Sequence, residues 1–169
     1  MTPTDWAELW RELACSDIQA SLAGEAQMLE RWRRVARQLD AGERSLADPL
    51  LDFLLGRLTP EMTVLDIGAG IGRWTLPMAA AVRRVTAVEP LAGMRQVLTE
   101  RAASRGIGNL EVVDVPWLEA HVPLHDVAVA AHATYTSGDL VAFVRKMDAH
   151  ARRACYLALR VPSHDGIIG

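Results

Sequence analysis

The sequence predicts an α/β fold, a doubly wound (Rossmann-like), mostly parallel sheet with helices on both faces and an N-terminal helical extension. Three observations predict it. After Thr59, short apolar runs alternate with helix-length segments. The runs are apolar on consecutive residues rather than on every second one, as strands covered on both faces are. The first run then opens directly into "VLDIGAGIGRW" (Val64 to Trp74), an apolar strand, a glycine turn and a helix start. With 50% hydrophobic residues in 169, the chain has enough apolar surface for one real core.

Residues 1–58 read as the helical extension. Thr2 before Pro3 is an N-cap followed by proline at the first helical position. Trp6, Leu9, Trp10 and Leu13 then form an i, i+3, i+4, i+7 stripe. A second helix carries Leu22, Ala26, Leu29, Trp32, Ala36 and Leu39 on one side and ends at "DAGE". Arg31, Arg33, Arg34 and Arg37 make its solvated face. The third starts at Asp48-Pro49 and is stopped by Thr59-Pro60.

Residues 59–169 read as the α/β domain. Its predicted strands are Thr63 to Gly68, Arg84 to Pro90, Leu110 to Val115, His125 to His132 and Cys155 to Val161. Helices run through Val82, from Leu91 to Arg105 and from Asp139 to Ala151, and right-handed crossovers wind the sheet both ways.

Charge and composition exclude several classes. A net charge of −3 gives no electrostatic footprint for nucleic acid. No apolar run approaches the ~20 residues of a membrane span. "MTPTDWAELW" lacks the basic-then-apolar pattern of a signal peptide. Cys15 and Cys155 stand apart with no CxxC, so neither a disulfide framework nor a metal site is predicted. A cytoplasmic protein is expected.

In open α/β sheets, ligands sit beyond the carboxyl ends of the strands. A dinucleotide fingerprint would need glycine where Arg73 stands, and a phosphate loop would need a lysine and a hydroxyl after the glycines. The motif present is D-x-G-x-G-x-G, made by Asp66, Gly68, Gly70 and Gly72, with Glu89 closing the next strand. With "VLDIGAGIGRWTLPMA" and "VTAVEPLAGM", the chain from about Leu50 to Val161 resembles the class I S-adenosylmethionine-dependent methyltransferases.

That resemblance implies S-adenosylmethionine as cofactor, bound by Asp66 and the turn Gly68-Ala69-Gly70. Glu89 would accept hydrogen bonds from both ribose hydroxyls, each strengthened by its charge. Pro90 and Met94 would line the adenosine pocket. After the third strand the family places an acidic and a small residue at the adenine; here "VVDVPWLEA" offers Asp114 and Val115, then Pro116 and Trp117. Either Asp114 reaches the exocyclic amine, or Trp117 stacks on the ring and its backbone N–H bonds the adenine. Trp117 packed under the sheet is the remaining alternative.

Methyl transfer needs the acceptor held in line, so a catalytic side chain is optional. Candidates at the end of the fourth strand are His132 and Tyr135. Imidazole titrates near neutral pH and suits a general base. His132 is equally placed to bond backbone or border the cofactor's methionine. Trp6, Trp10 and Trp32 would lie over the pocket as a lid or pack only. The expected function is methyl transfer to a small molecule. The alternatives are a non-catalytic binding or assembly module of the same fold and a nicotinamide-dependent oxidoreductase.

The family's sheet normally has seven strands, whereas this sequence predicts five, as in a fragment lacking strands 6 and 7. Cys155 to Val161 would then be an exposed apolar edge with Arg160 its only charge, prone to pair with a second copy as a homodimer.

Overall fold

The computed structural model describes residues 5, 7–12, 25–41 and 48–159. The Thr2-Pro3 cap, Trp6, Leu13, Cys15, Leu22, the side chain of Ala26, and Arg160 and Val161 lie outside the described residues. Residues 7–12 are helical. The remaining elements are α1 (Glu25–Asp40), α2 (Pro49–Leu55), β1 (Thr63–Ile67), α3 (Thr75–Ala81), β2 (Arg84–Val88) and α4 (Ala92–Ser104). They continue with β3 (Leu110–Val113), β4 (His125–Ala131), a 3-10 turn (Thr134–Thr136), α5 (Leu140–Ala149) and β5 (Ala151–Ala158).

The strands form one parallel sheet in the order β3-β2-β1-β4-β5. Strand β1 is therefore central, with β2 and β4 on opposite sides. Alternate residues feed two cores. Val64, Val127 and Val129 join Leu54 and Met78 on one face. Leu65, Ile67, Ala128 and Ala130 join Trp117, Phe143 and Met147 on the other. Burial on both faces is why the strands read as unbroken apolar runs.

Helix starts follow the expected chemistry. Asp48 accepts the N–H of Leu51 at 3.2 Å and Pro49 opens α2. Asp139 does the same for Ala142 at 2.8 Å in α5. The Nζ of Lys146, further along α5, donates to the carbonyls of Trp117, Leu118 and Ala120 at 2.8, 3.0 and 2.6 Å. This clamps the connection between β3 and β4.

All five strands differ from their sequence-predicted extents: β1 and β4 end one residue early, β2 and β3 two residues early, and β5 starts four residues early. Strand β3 ends at Val113, because its partner β2 ends at Val88, opposite it, and Glu89 and Pro90 lead the chain away. Strand β5 begins at Ala151, opposite His125, and so takes in Arg152 and Arg153. Its edge is therefore charged at its start: Arg153 faces Asp126 at 3.5 Å and Arg152 donates to the Leu124 carbonyl at 3.2 Å. Leu157 and Leu159 stay exposed.

Candidate functional site

The carboxyl end of β1 is where the chain departs from regular geometry. The N–H groups of Gly68 and Ala69 both donate to the Val88 carbonyl, at 2.8 and 3.2 Å, which straps the turn to the end of β2. Gly68 has φ +78°, and a Cβ there would lie 2.3 Å from the Ala133 Cβ. Gly72, at φ +83°, would put a Cβ 2.5 Å from Leu98 Cδ1 and 3.0 Å from Leu76 Cγ, so its bareness lets α3 and α4 close on each other. Gly70, by contrast, has nothing within 4 Å of a Cβ position: the top of the turn is open.

Glu89 stands across that opening and is 5% exposed. Its Oε2 accepts the Gly70 N–H at 2.8 Å and its Oε1 accepts the Leu91 N–H at 2.9 Å. Each oxygen keeps a further lone pair, since a carboxylate offers about four acceptor sites. Burial pushes the Glu89 carboxyl above its ordinary range, against the pull of those two N–H groups and of Arg95. Below the turn, Asp66 is 2% exposed and receives the Thr75 hydroxyl at 2.5 Å. Burial pushes its pKa up to about 6; the Thr75 bond pulls against this, and the charge of Glu89 adds to it.

On the β4 side of the turn lies a pocket of about 310 Å³, lined by Asp48, Asp66, Gly68, Arg73, Trp74 and His132 among others. Asp48 organises its wall. Besides capping α2, its Oδ2 accepts the Trp74 indole N–H at 3.0 Å and pairs with Arg73 at 3.0 Å. His132 is exposed, follows directly on β4 and has φ 57°, alone among the described non-glycine residues in being left-handed. Its N–H donates to the Ala158 carbonyl at 2.9 Å. Such strain collects at functional positions. Tyr135 sits in the 3-10 turn just beyond, with its ring centroid 6.5 Å from that of Trp10. The Trp10 indole N–H donates to the Ser137 carbonyl at 2.7 Å.

The remaining predicted residues lie around β2, α4 and β3. Met94 is buried beside Ile71, Val97 and Ala36 of α1, with Trp32 packed against the cluster, while Pro90 is exposed. Asp114 is exposed and Val115 partly buried, both just past the end of β3. Trp117 takes the last of its expected alternatives, packed under the sheet. Its indole does not face outward for stacking; it is 5% exposed, donates to the Phe143 carbonyl at 3.1 Å and lies edge-on to Phe143 and His150. An aromatic that size gains more from the core under the sheet, where its N–H has a partner, than from the rim.

A methyltransferase-domain family model matches residues 64–154, more than half of the chain. The chain belongs to this family. Its fold is that of the class I methyltransferases, whose cofactor is S-adenosylmethionine. A curated relative, a probable ribosomal RNA small subunit methyltransferase A from Methanosphaera stadtmanae, is 34% identical over 68 residues, 40% of this chain and 25% of that protein. The YcgJ protein of Bacillus subtilis is 23% identical with a TM-score of 0.57, over 62% of this chain and 46% of that one. A phosphoethanolamine N-methyltransferase from Haemonchus contortus, solved with phosphoethanolamine and S-adenosylhomocysteine, is 23% identical with a TM-score of 0.56, over 66% of this chain and 25% of that one. At such identity the two structures speak for the fold. The chain matches only a quarter of its curated relative's length.

The site geometry fits the family's cofactor: a turn with no room for a side chain below, open space above, and a buried carboxylate with unspent lone pairs beside it. Sequence reasoning passed over Asp48, Trp74 and Thr75. Asp48-Pro49 signalled only a helix start, and Arg73 served only as an argument against a dinucleotide fingerprint. A hydroxyl at Thr75, nine residues after Asp66 and at the first turn of the next helix, was the available signal for the buried pair.

Proposed function

We propose that this chain is the S-adenosylmethionine-binding part of a methyltransferase acting on a small-molecule acceptor. The observation that carries the proposal is Glu89, gripped by the N–H groups of Gly70 and Leu91 and still able to accept two hydroxyls. In this role its charge strengthens each ribose hydrogen bond. Gly68, Ala69 and Gly70 present bare backbone to the cofactor, with Asp66 beneath them. Pro90 and Met94 border the adenosine. Asp114, Val115 and the backbone of Trp117 are assigned to the adenine edge.

When bound, S-adenosylmethionine supplies a methyl group on a positively charged sulfur. The chain's own contribution is to hold an acceptor in the adjoining pocket at attack geometry, which can by itself account for ~7–11 kcal/mol of a barrier. His132, held in place by its backbone bond to β5, takes up the acceptor's proton as general base, with Tyr135 orienting the acceptor. Residues 7–12 and α1 close over the rim as a lid, through the contacts of Trp10 with Tyr135 and Ser137 and of Trp32 with the Met94 cluster.

A net charge of −3 and a pocket of about 310 Å³ favour a small acceptor over RNA, although one relative is named for ribosomal RNA. No helix among the described residues is long and apolar enough to cross a membrane. The cytoplasm is the compartment proposed. Pairing of two copies would use the β5 edge, and sedimentation at micromolar concentration tests it.

Titration of the chain with S-adenosylhomocysteine tests the cofactor site. Saturable binding at one site is expected, and no heat and no rise in Tm at millimolar ligand would overturn it. Turnover with an acceptor panel then separates an enzyme from a binding module.

A further inference from the structure

Arg101 is a charged residue in the last turn of α4, 6% exposed, with Val97, Leu98 and Ala102 of the same helix buried around it. Burying a guanidinium is costly unless its donors are met. Here they are met from two directions. Nε donates to both carboxylate oxygens of Asp40 at 3.1 Å, and Nη2 donates to Asp40 Oδ1 at 2.8 Å. Nη1 turns the other way and donates to the Ile71 carbonyl at 2.5 Å. Asp40 is the last residue of α1, and Ile71 lies between the second and third glycines of the turn.

Docking α1 on α4 needs only the bonds to Asp40. The bond to Ile71 does something else. The Gly70 N–H is held by Glu89, and the carbonyl of the very next residue is held by Arg101. Two charged side chains, one just past β2 and one on α4, thus fix the peptide groups on either side of the Gly70–Ile71 peptide in one turn. Asp40 in turn orients the guanidinium. Its carboxyl is held below the usual range, chiefly by the Arg101 bond and also by Arg105, which donates to it at 2.5 Å. The planar fork matters: a guanidinium can grip a carboxylate on one edge and a carbonyl on another, which an ammonium at one point cannot.

We propose that Arg101 is a positioning residue of the cofactor turn, and that its ion pair with Asp40 makes the end of the N-terminal helix α1 a working part of the site. The proposal rests on the assignment of the Gly68–Gly72 turn to the cofactor. It requires that loss of Arg101 or Asp40 loosen the turn before any ligand is present.

The test compares Arg101→Met, Asp40→Asn and a comparator, Asn109→Ala. Asn109 bonds the Ala79 and Val82 carbonyls at 2.8 and 2.9 Å, at the far end of α3. Arg101→Met keeps the volume, removes the buried cation and leaves Asp40 to Arg105. Hydrogen exchange of the Gly70 and Gly72 amides is read in the unliganded chain, and the Kd for S-adenosylhomocysteine by calorimetry. In both site variants the two amides exchange faster and Kd rises roughly tenfold, the factor for ~1.4 kcal/mol. Asn109→Ala lowers Tm and leaves amides and Kd at wild-type values. Arg101→Met with wild-type amides and Kd overturns the proposal, as does Asn109→Ala shifting them equally. Should Arg101→Met not fold, Asp40→Asn decides by the same readings. If the wild-type chain does not bind S-adenosylhomocysteine, the cofactor assignment falls, while the amide rates still report on Arg101.

Discussion

The two ends of the parallel sheet use similar residues in opposite ways. At the amino end, polar groups satisfy one another. Asp126 accepts the N–H and hydroxyl of Thr63 at 2.9 and 3.0 Å, and Arg84 pairs with Glu111. His125 bonds the Pro123 carbonyl through Nδ1, leaving Nε2 to accept the Thr86 hydroxyl at 2.9 Å. The Thr63 N–H draws the Asp126 carboxyl below its ordinary value. At the carboxyl end, burial drives both Asp66 and Glu89 upward, glycines hold the turn open, and the buried Thr134 hydroxyl has no partner among the described residues. One end is finished; the other is built to be completed. Perturbed carboxyls beside unspent hydrogen-bonding capacity mark a ligand end by physics alone.

The largest test of this contrast is Gly68→Val. A side chain there meets Ala133 and imposes a strained φ, so S-adenosylhomocysteine binding should fall more than about 100-fold, beyond calorimetric detection. Normal binding by a folded Gly68→Val chain would make the turn structural only.

Next comes pH. With a folded pKa of about 6 against an ordinary 3.8, Asp66 binds more protons in the folded chain between those values. Its contribution to stability is therefore full below pH ~4 and is lost as pH rises through 6, amounting to about 3 kcal/mol. Asp66→Asn should flatten that part of a stability–pH curve measured by urea unfolding. An unchanged slope would remove Asp66 from the account.

Glu89→Ala should weaken S-adenosylhomocysteine by about 1.5–3 kcal/mol, the range for hydrogen bonds to a charged group. It also frees two N–H groups, so a lower Tm is expected as well. Unchanged affinity would erase the contrast between the two ends.

The smallest effect belongs to His125, whose pKa burial lowers from 6.5. Its contribution is present above 6.5 and lost as pH falls, the reverse of Asp66. His125→Gln should blunt the loss of stability on acidification and leave cofactor affinity at the wild-type value, measured by the same titrations. A change in affinity would mean that the two ends are coupled.

Much of this was legible in the sequence because strand burial and turn chemistry are local. The five strands, the Asp48-Pro49 and Asp139 caps, and the Asp66, Gly68, Gly70 and Glu89 constellation are all written within short spans. What was not legible depends on distant partners. Arg101 and Asp40 are 61 positions apart, and nothing in either segment announces the pair. Trp117 looked like a rim residue by strand length, but its partners Phe143 and Lys146 come from α5. The start of β5 was misplaced because Arg152 and Arg153 argue locally against a strand, while pairing with β4 and contact with Asp126 override them.

Lys146 is the single lysine in the sequence, and its ammonium is spent on three carbonyls, with burial holding its pKa below the ordinary value. Acylating reagents need a free, neutral amine with an unshared electron pair pointing outward. That pair is presented here only when Nζ gives up its three carbonyls in the segment from Trp117 to Ala120. The rate at which Lys146 is modified by an activated ester is thus a clock for that release, carried by one side chain and legible in a single peptide by mass spectrometry.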